Sequence, residues 1–157
     1  MELKALLLDT HAHIPPLAAL GGLSADRAAE RAAGAPHSIG EIVAHLVFWQ
    51  EWFCRRCRGE AVPMAARAAD GWPGVGPGDW PALRARFAAG LEDAVSLSAD
   101  AAACERVLDP RIEPLGEYTV RDALLHIAQH NAHHLGQVVL LRQLQGSWPP
   151  PAGSWTW

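Results

Sequence analysis

The segment from Thr119 to Gln145 constrains the fold most, because its apolar residues recur at helical spacing over about seven turns. When each residue is taken as a rotation of about 100°, one face collects Val120, Ala123, Leu124, Ile127, Val138 and Leu141. The segment is therefore predicted to form one long helix that buries this face and ends at Gly146.

Four histidines, His126, His130, His133 and His134, lie within nine residues of this helix. With His126 at zero and the apolar face near 100°, His134 falls at about 80° and His130 at about 40°, while the other two lie on the edge. Imidazoles four residues apart project from one side of a helix and can bind one metal ion. We predict His130 and His134 as ligands, and we interpret His126 and His133 as solvated groups or neighbours of the ligands.

Two further polar residues of this helix are candidates for contacting an anionic cosubstrate. Gln137, at about 20°, lies close to the histidines in the same rotation count and could orient a ligand or touch a substrate. Arg142 could also steer an anion, but its rotation of about 160° favours outward packing.

A second predicted helix supplies a third ligand. Ser38 and Glu41 form a capping-box signature, and the helix should run from Ser38 to about Arg58. Its buried stripe is marked by Ile42, Leu46, Trp49 and Phe53, and His45 lies beside this stripe. Three neutral imidazoles with a fourth position open are typical of a reactive zinc-type site rather than a closed structural one.

The rest of the chain reads as two more helices and long connections. A first helix is predicted over 3–13, resuming after Pro16 toward Leu20, and Asp79 should cap a third helix running from Trp80 to about Leu97. Residues 60–78, rich in Gly and Pro, read as a long loop or lid with one turn near 64–69, and 101–118 as an irregular crossover. We predict an all-α four-helix bundle with long crossover loops, forming a single domain over 1–157.

Composition restricts the partners. The formal charge of −4 comes from interspersed acidic and basic residues, so the chain has no basic stripe of the kind that binds nucleic acids. We therefore expect no nucleic-acid partner. Apolar runs are too short for a membrane span, and the N-terminus lacks the pattern of a signal peptide, so we expect a cytoplasmic protein. The three tryptophans of the tail over 147–157 are expected to fold back onto the bundle or to meet another subunit.

Two other motifs are weaker candidates. Cys54 and Cys57 form a Cys-x-x-Cys, but they lie inside a helix with no strand upstream, so we interpret Cys57 as core filler and Cys54 as a rim residue. The odd total of three cysteines fits a reducing compartment. His11 and His13 match the His-x-His of amidohydrolase barrels, which need about 250 residues. His11 could still approach the metal site from a neighbouring helix.

The chain resembles the DinB-like (YfiT-like) metal-binding four-helix bundles. The resemblance rests on His45 in an xxHLxxxxxW pattern and on residues 119–138 with the Leu-Leu-Arg142 that follows. It implies a divalent metal, most often zinc or nickel, on His45, His130 and His134, together with frequent homodimers. For some members it also implies thiol S-transferase or isomerase activity with bacillithiol, mycothiol or glutathione. The proline-broken first helix and the Trp-rich tail depart from the usual pattern.

From these features we expect a metal-dependent thiol S-transferase that joins a small thiol to a small-molecule electrophile. Gln137 and Arg142 are the candidates for contacting the thiol cosubstrate. A metal-dependent hydrolase that activates water, and a non-catalytic metal-binding interaction protein associated with stress, remain as alternatives.

Overall fold

The computed structural model of the chain describes residues 2–8, 13–113 and 116–154. The helices in these ranges are α1 (Leu3–Leu8), α2 (Pro16–Ala19), α3 (Ala25–Ala29), α4 (Ile39–Cys57), α5 (Trp80–Ser98), α6 (Ala101–Cys104) and α7 (Val120–Leu144). Two short 3₁₀-helices, Ala68–Gly71 and Pro77–Asp79, precede α5. The only extended pairings within the described ranges are two isolated bridges, so the predicted all-α class is confirmed.

Side-chain caps fix the starts of the two helices that carry the predicted ligands. At α4 the Glu41 amide donates to Ser38 Oγ over 3.2 Å, and the Ser38 amide donates to the Glu41 carboxylate over 2.7 Å. At α7 the same reciprocal pair joins Thr119 and Asp122. Each pair satisfies two amides that would otherwise lack partners at a helix start. Both predicted capping signatures are confirmed.

The start of α5 differs from the prediction. Asp79 stands at the N-cap position, but its carboxylate accepts the Gly76 amide over 2.8 Å and makes no bond to the helix that follows. The backbone of Asp79 is already helical, with φ −82° and ψ −16°, because it ends the preceding 3₁₀ turn. A residue whose side chain caps a helix usually has an extended backbone. Because Asp79 does not, its carboxylate bonds the Gly76 amide of the preceding turn rather than an amide of α5.

The long helix α4 packs along both α5 and α7. The fourth position of the bundle is shared by α1, which contacts α5 and α7, and by α2, which contacts α7. One apolar cluster joins the first half of α4 to the second half of α7, and another joins their opposite halves. This antiparallel crossing places His45 opposite the middle of α7.

Several connecting segments are more ordered than predicted. The loop after α2 contains α3, whose start is capped where Ser24 Oγ accepts the Arg27 amide over 3.2 Å. The turn expected over 64–69 lies instead at Ala68–Gly71, and the crossover after α5 begins with α6. The prediction that Cys54 lies at the rim is wrong, since this residue is 1% exposed. Cys57 fills the core as predicted.

The described part of the tail folds back onto the bundle. Trp148 packs against the apolar cluster formed by Ile14, Ala19 and Leu135, while Trp155 and Trp157 lie outside the described residues. Within the described ranges, every helix is too short or too polar to cross a membrane.

Candidate metal centre

Three histidines from two helices meet in one cluster, in which His45 and His134 are buried and His130 is half-buried. His45 comes from α4, and His130 and His134 come from successive turns of α7. One nitrogen from each ring lies within 4.8 Å of the others, and the Nε2 atoms of His45 and His130 are 3.1 Å apart. We call these three residues the histidine cluster. It brings together the three positions predicted as ligands from the sequence.

The segment that precedes α5 contacts the ring of His45 on the side that faces away from the cluster. Its Nδ1 lies 2.7 Å from the carbonyl oxygen of Gly71. A carbonyl only accepts hydrogen bonds, so the proton of the neutral ring sits on Nδ1 and the lone pair sits on Nε2, facing the cluster. The backbone approaches closely here, since a Cβ on Gly71 would lie 2.8 Å from Trp49 Nε1.

His134 is oriented in the same way by a residue of its own helix. Its Nδ1 lies 2.7 Å from Oε1 of Gln137, and the Gln137 amide nitrogen lies 3.3 Å from Nε2 of His133. The Gln137 oxygen accepts the Nδ1 proton, which leaves the His134 Nε2 lone pair for the cluster. Gln137 thus contacts a predicted ligand, and its role toward a cosubstrate stays a prediction.

An aromatic stack covers one side of the cluster. The Trp72 ring lies parallel to His45, with centroids 3.8 Å apart, and its opposite face lies parallel to His37 at 3.9 Å. Sequence reasoning placed Gly71 and Trp72 only within a long loop, because nothing in local spacing relates them to His45. The features of the sequence that could have indicated this contact are the several glycines and the one tryptophan of the segment 60–78.

Burial keeps the cluster uncharged. Loss of water around each ring disfavours its protonated form and lowers the pKa of His45, His130 and His134, that of His130 to about 3. The neighbouring imidazoles add to this effect, because a second positive charge nearby would be repelled. Neutral imidazoles are the form that binds a metal ion.

The remaining histidines lie around or away from the cluster. His126 Nδ1 is 3.0 Å from the Tyr118 hydroxyl, and its ring centroid is 6.1 Å from that of His130. His133 is exposed on α7. His13 lies with Nδ1 2.8 Å from the Ile14 carbonyl oxygen, and His11 lies outside the described residues.

Arg142 is not brought to the histidine cluster. Its guanidinium donates to the carbonyl oxygens of Ala19 (2.6 Å), Gly21 (3.0 Å) and Ser147 (2.7 Å). We call this set the Arg142 network. The expectation of outward packing is wrong, since Arg142 is only 2% exposed. With its donors directed at backbone carbonyls, the guanidinium is placed to join α2 and the tail to α7.

The donor set fits a divalent metal. Tetrahedral binding at about 2.0 to 2.1 Å would separate ligand nitrogens by about 3.3 Å, close to the distance between the His45 and His130 Nε2 atoms. Two of the three rings also have their outer nitrogen bonded to an oxygen, an arrangement common among metal-binding histidines.

The family model described as the DinB superfamily matches residues 17–138, a stretch that contains all three members of the histidine cluster. No curated protein matches the chain.

Proposed function

The chain belongs to the DinB superfamily, and we propose that it is a divalent-metal-dependent thiol S-transferase whose metal is held by His45, His130 and His134. The observation that carries the proposal is the convergence of three neutral imidazoles on one point. Zinc and nickel are the metals we propose, since both accept imidazole ligands. The metal-binding half of the proposal is compatible with the family and with the cluster.

His45, His130 and His134 would hold the divalent ion, which would lower the pKa of a bound thiol so that thiolate would form near neutral pH. The transfer then makes a bond between the thiol sulfur and an electrophilic carbon. The leaving group departs with the electron pair of the broken bond, and the thiol proton passes to solvent. The protein has to hold the two reactants together and keep water from the sulfur.

The surroundings of the cluster favour a thiol over water as nucleophile. Among the described residues, the side chains close enough to one another to hold a metal ion here are His45, His130 and His134, and the group contains no carboxylate. A carboxylate that could serve as a base for water is therefore not part of the cluster. Trp72, stacked on His45, shields that side from solvent. A thiol of low pKa needs no such base, whereas hydrolysis usually gains from one.

The test is metal content and conjugation measured on the same preparations. Zinc and nickel are quantified in the wild type and in a His130→Ala, His134→Ala double variant, followed by reaction of bromoacetanilide with bacillithiol, mycothiol or glutathione. We expect near-stoichiometric metal and thiol-dependent turnover in the wild type, with both lost in the double variant. His133→Ala, an exposed histidine of the same helix, is the matched control and should keep its metal.

The other outcomes separate the alternatives. Metal retained by the double variant would overturn the ligand assignment. Metal lost in the double variant, but with esters cleaved by the wild type without any thiol, would replace transfer by hydrolysis. Stoichiometric metal without turnover of thiol conjugates or esters would leave a metal-binding protein that is not a transferase.

A further inference from the structure

A cavity of about 380 Å³ opens beside the histidine cluster. One wall is the loop over 33–37, and the other is the second half of α7. The residues that matter for its chemistry are His37, Trp72, Gln137, Leu140, Leu141 and Leu144, and the cavity also reaches His134. Its volume lies within the range of small-molecule sites. A ligand that fills it therefore lies against a member of the cluster.

The wall of the cavity is mostly apolar. Its lining contains no Asp, Glu, Lys or Arg, and its polar groups are imidazoles and one amide. Leu140 and Leu144 are 55% and 65% exposed, which is unusual for two leucines on the same side of a helix one turn apart.

The arginines near the cavity are not directed at it, and His37, which lines it, has its Nδ1 3.9 Å from the Glu41 carboxylate. The guanidinium of Arg142 donates to backbone carbonyls of the Arg142 network. Arg31, close to the 33–37 loop in sequence, is paired with the carboxylate of Glu41 at 2.6 Å. An anionic group placed in this cavity would lose water without meeting a lysine or arginine side chain, which is unfavourable.

The aromatic part of the wall is preformed. Trp72 is held between the rings of His37 and His45, both nearly parallel to it at 10° and 8°. A ring fixed on both faces does not have to be ordered when a ligand binds, so the cost of binding is reduced.

We propose that this cavity binds the uncharged, apolar portion of the electrophile, an aromatic or branched-alkyl group, and that Leu140, Leu141 and Leu144 select it. The proposal rests on the proposed function, in which that electrophile receives the thiol. It names the class of electrophile that the transferase prefers, namely neutral and apolar rather than anionic.

The test compares electrophiles that share one reactive carbon. Bromoacetanilide is neutral and aromatic, bromoacetamide is neutral and small, and bromoacetate is anionic. In each case the carbon–bromine bond breaks, bromide leaves with the electron pair and the thiol proton goes to solvent. After subtraction of the uncatalysed rate, we expect kcat/KM for bromoacetanilide to exceed that for bromoacetamide by about tenfold or more, as burial of a phenyl ring predicts. Bromoacetate should be the poorest substrate.

Leu144→Glu probes the cavity directly, because it places a negative charge at an exposed position of its wall. It should reduce the preference for bromoacetanilide over bromoacetamide by about tenfold. Leu17→Glu is the matched control, since Leu17 is also exposed, at 44%, and lies outside this cavity. We expect the control to keep the wild-type preference. Equal preference in both variants and in the wild type would overturn the proposal.

A binding measurement separates this proposal from the proposed function. Saturation-transfer NMR with acetanilide and acetate, which cannot react, is recorded on the protein with and without added zinc. Transfer to acetanilide that Leu144→Glu abolishes and Leu17→Glu retains would support the cavity even if no thiol conjugation occurs. Rapid conjugation without any preference among the electrophiles, together with no transfer to acetanilide, would leave the S-transferase intact and refute the cavity assignment.

Discussion

The histidine cluster and the Arg142 network are two buried polar assemblies on the same helix, and they direct their hydrogen-bonding groups differently. In the Arg142 network the guanidinium N–H groups donate to carbonyl oxygens of Ala19, Gly21 and Ser147. In the histidine cluster, oxygens of Gly71 and Gln137 bind the outer nitrogens of His45 and His134, and the inner lone pairs face one another.

The difference teaches how to separate a structural polar group from a binding site. Arg142, His45 and His134 are all buried, so burial alone does not distinguish the two assemblies. Backbone carbonyls accept from the guanidinium and leave it little capacity for a ligand. The Nε2 lone pairs of His45 and His134 lie beside His130, whose neutral ring has a single N–H to donate, so at most one of them is satisfied within the cluster, whereas a cation would satisfy all three rings together. Substitutions in each assembly should therefore have separable effects.

The largest effect is expected from His45→Ala, which removes the only member of the cluster that α4 provides. Loss of a direct ligand should weaken zinc binding by more than about 100-fold, beyond the range typical of residues that only orient ligands. Competition with a chromogenic chelator measures the affinity. The free energy of unfolding of the metal-free protein serves as a control, and binding that survives the substitution would show that α7 holds the metal without α4.

Arg142→Met should have the opposite profile. It leaves backbone carbonyls of α2 and the tail without a buried donor, which should lower the free energy of unfolding by about 2 kcal/mol. Urea unfolding of the metal-free protein measures this change, and metal stoichiometry should stay as in the wild type. Arg86→Met, which removes an exposed pair with Glu51, is the matched control and should cost less than about 1 kcal/mol. A loss of metal in Arg142→Met would break the comparison.

The two assemblies should also differ in their response to pH. Burial lowers the pKa of His45, His130 and His134, that of His130 from 6.5 to about 3. Below pH 6.5 the unfolded chain therefore binds protons that the folded chain refuses, so the metal-free protein loses stability as pH falls from 6.5 toward 3. Each such histidine contributes up to about 1.4 kcal/mol per pH unit. Arg142 stays charged throughout this window and adds nothing to the slope.

Urea unfolding of the metal-free protein at several pH values between 6.5 and 4.5 measures that slope. His130→Ala should show a shallower slope than the wild type, because one titrating group is removed. Glu41 and Asp122, whose carboxyl pKa values are lowered, affect stability mainly below this range. A slope unchanged by His130→Ala would show that this ring titrates normally in the folded protein.

Local patterns predicted the ligand-bearing helices well. Capping pairs and apolar periodicity depend on residues close in sequence, so Ser38 with Glu41 and Thr119 with Asp122 predicted where α4 and α7 begin. The rotation count predicted which side of α7 His130 and His134 share. The rings meet His45 because the two helices cross in an antiparallel bundle.

Long-range contacts were beyond the sequence patterns. Gly71 contacts His45 from 26 positions further along the chain, and Trp72 stacks on the same histidine. Both residues lie in a loop without periodicity, so no local pattern relates them to His45. Outward packing of Arg142 was predicted only from its angular position on α7, and the side chain is in fact buried. The rotation count does not include α2 and the tail, which cover that side of α7.

The smallest expected effect comes from Gln137→Leu, and it tests whether outer contacts tune the cluster. Leucine removes the oxygen that accepts the His134 Nδ1 proton, so the ring is less firmly oriented and zinc affinity should fall about tenfold. Chelator competition measures the loss. His133→Ala removes the other contact of Gln137 and leaves the bond to His134, so its zinc affinity should stay near that of the wild type. If both variants bind zinc like the wild type, then helix packing alone orients His134, and the oxygen on its outer nitrogen is no more specific to a metal site than the carbonyls around Arg142.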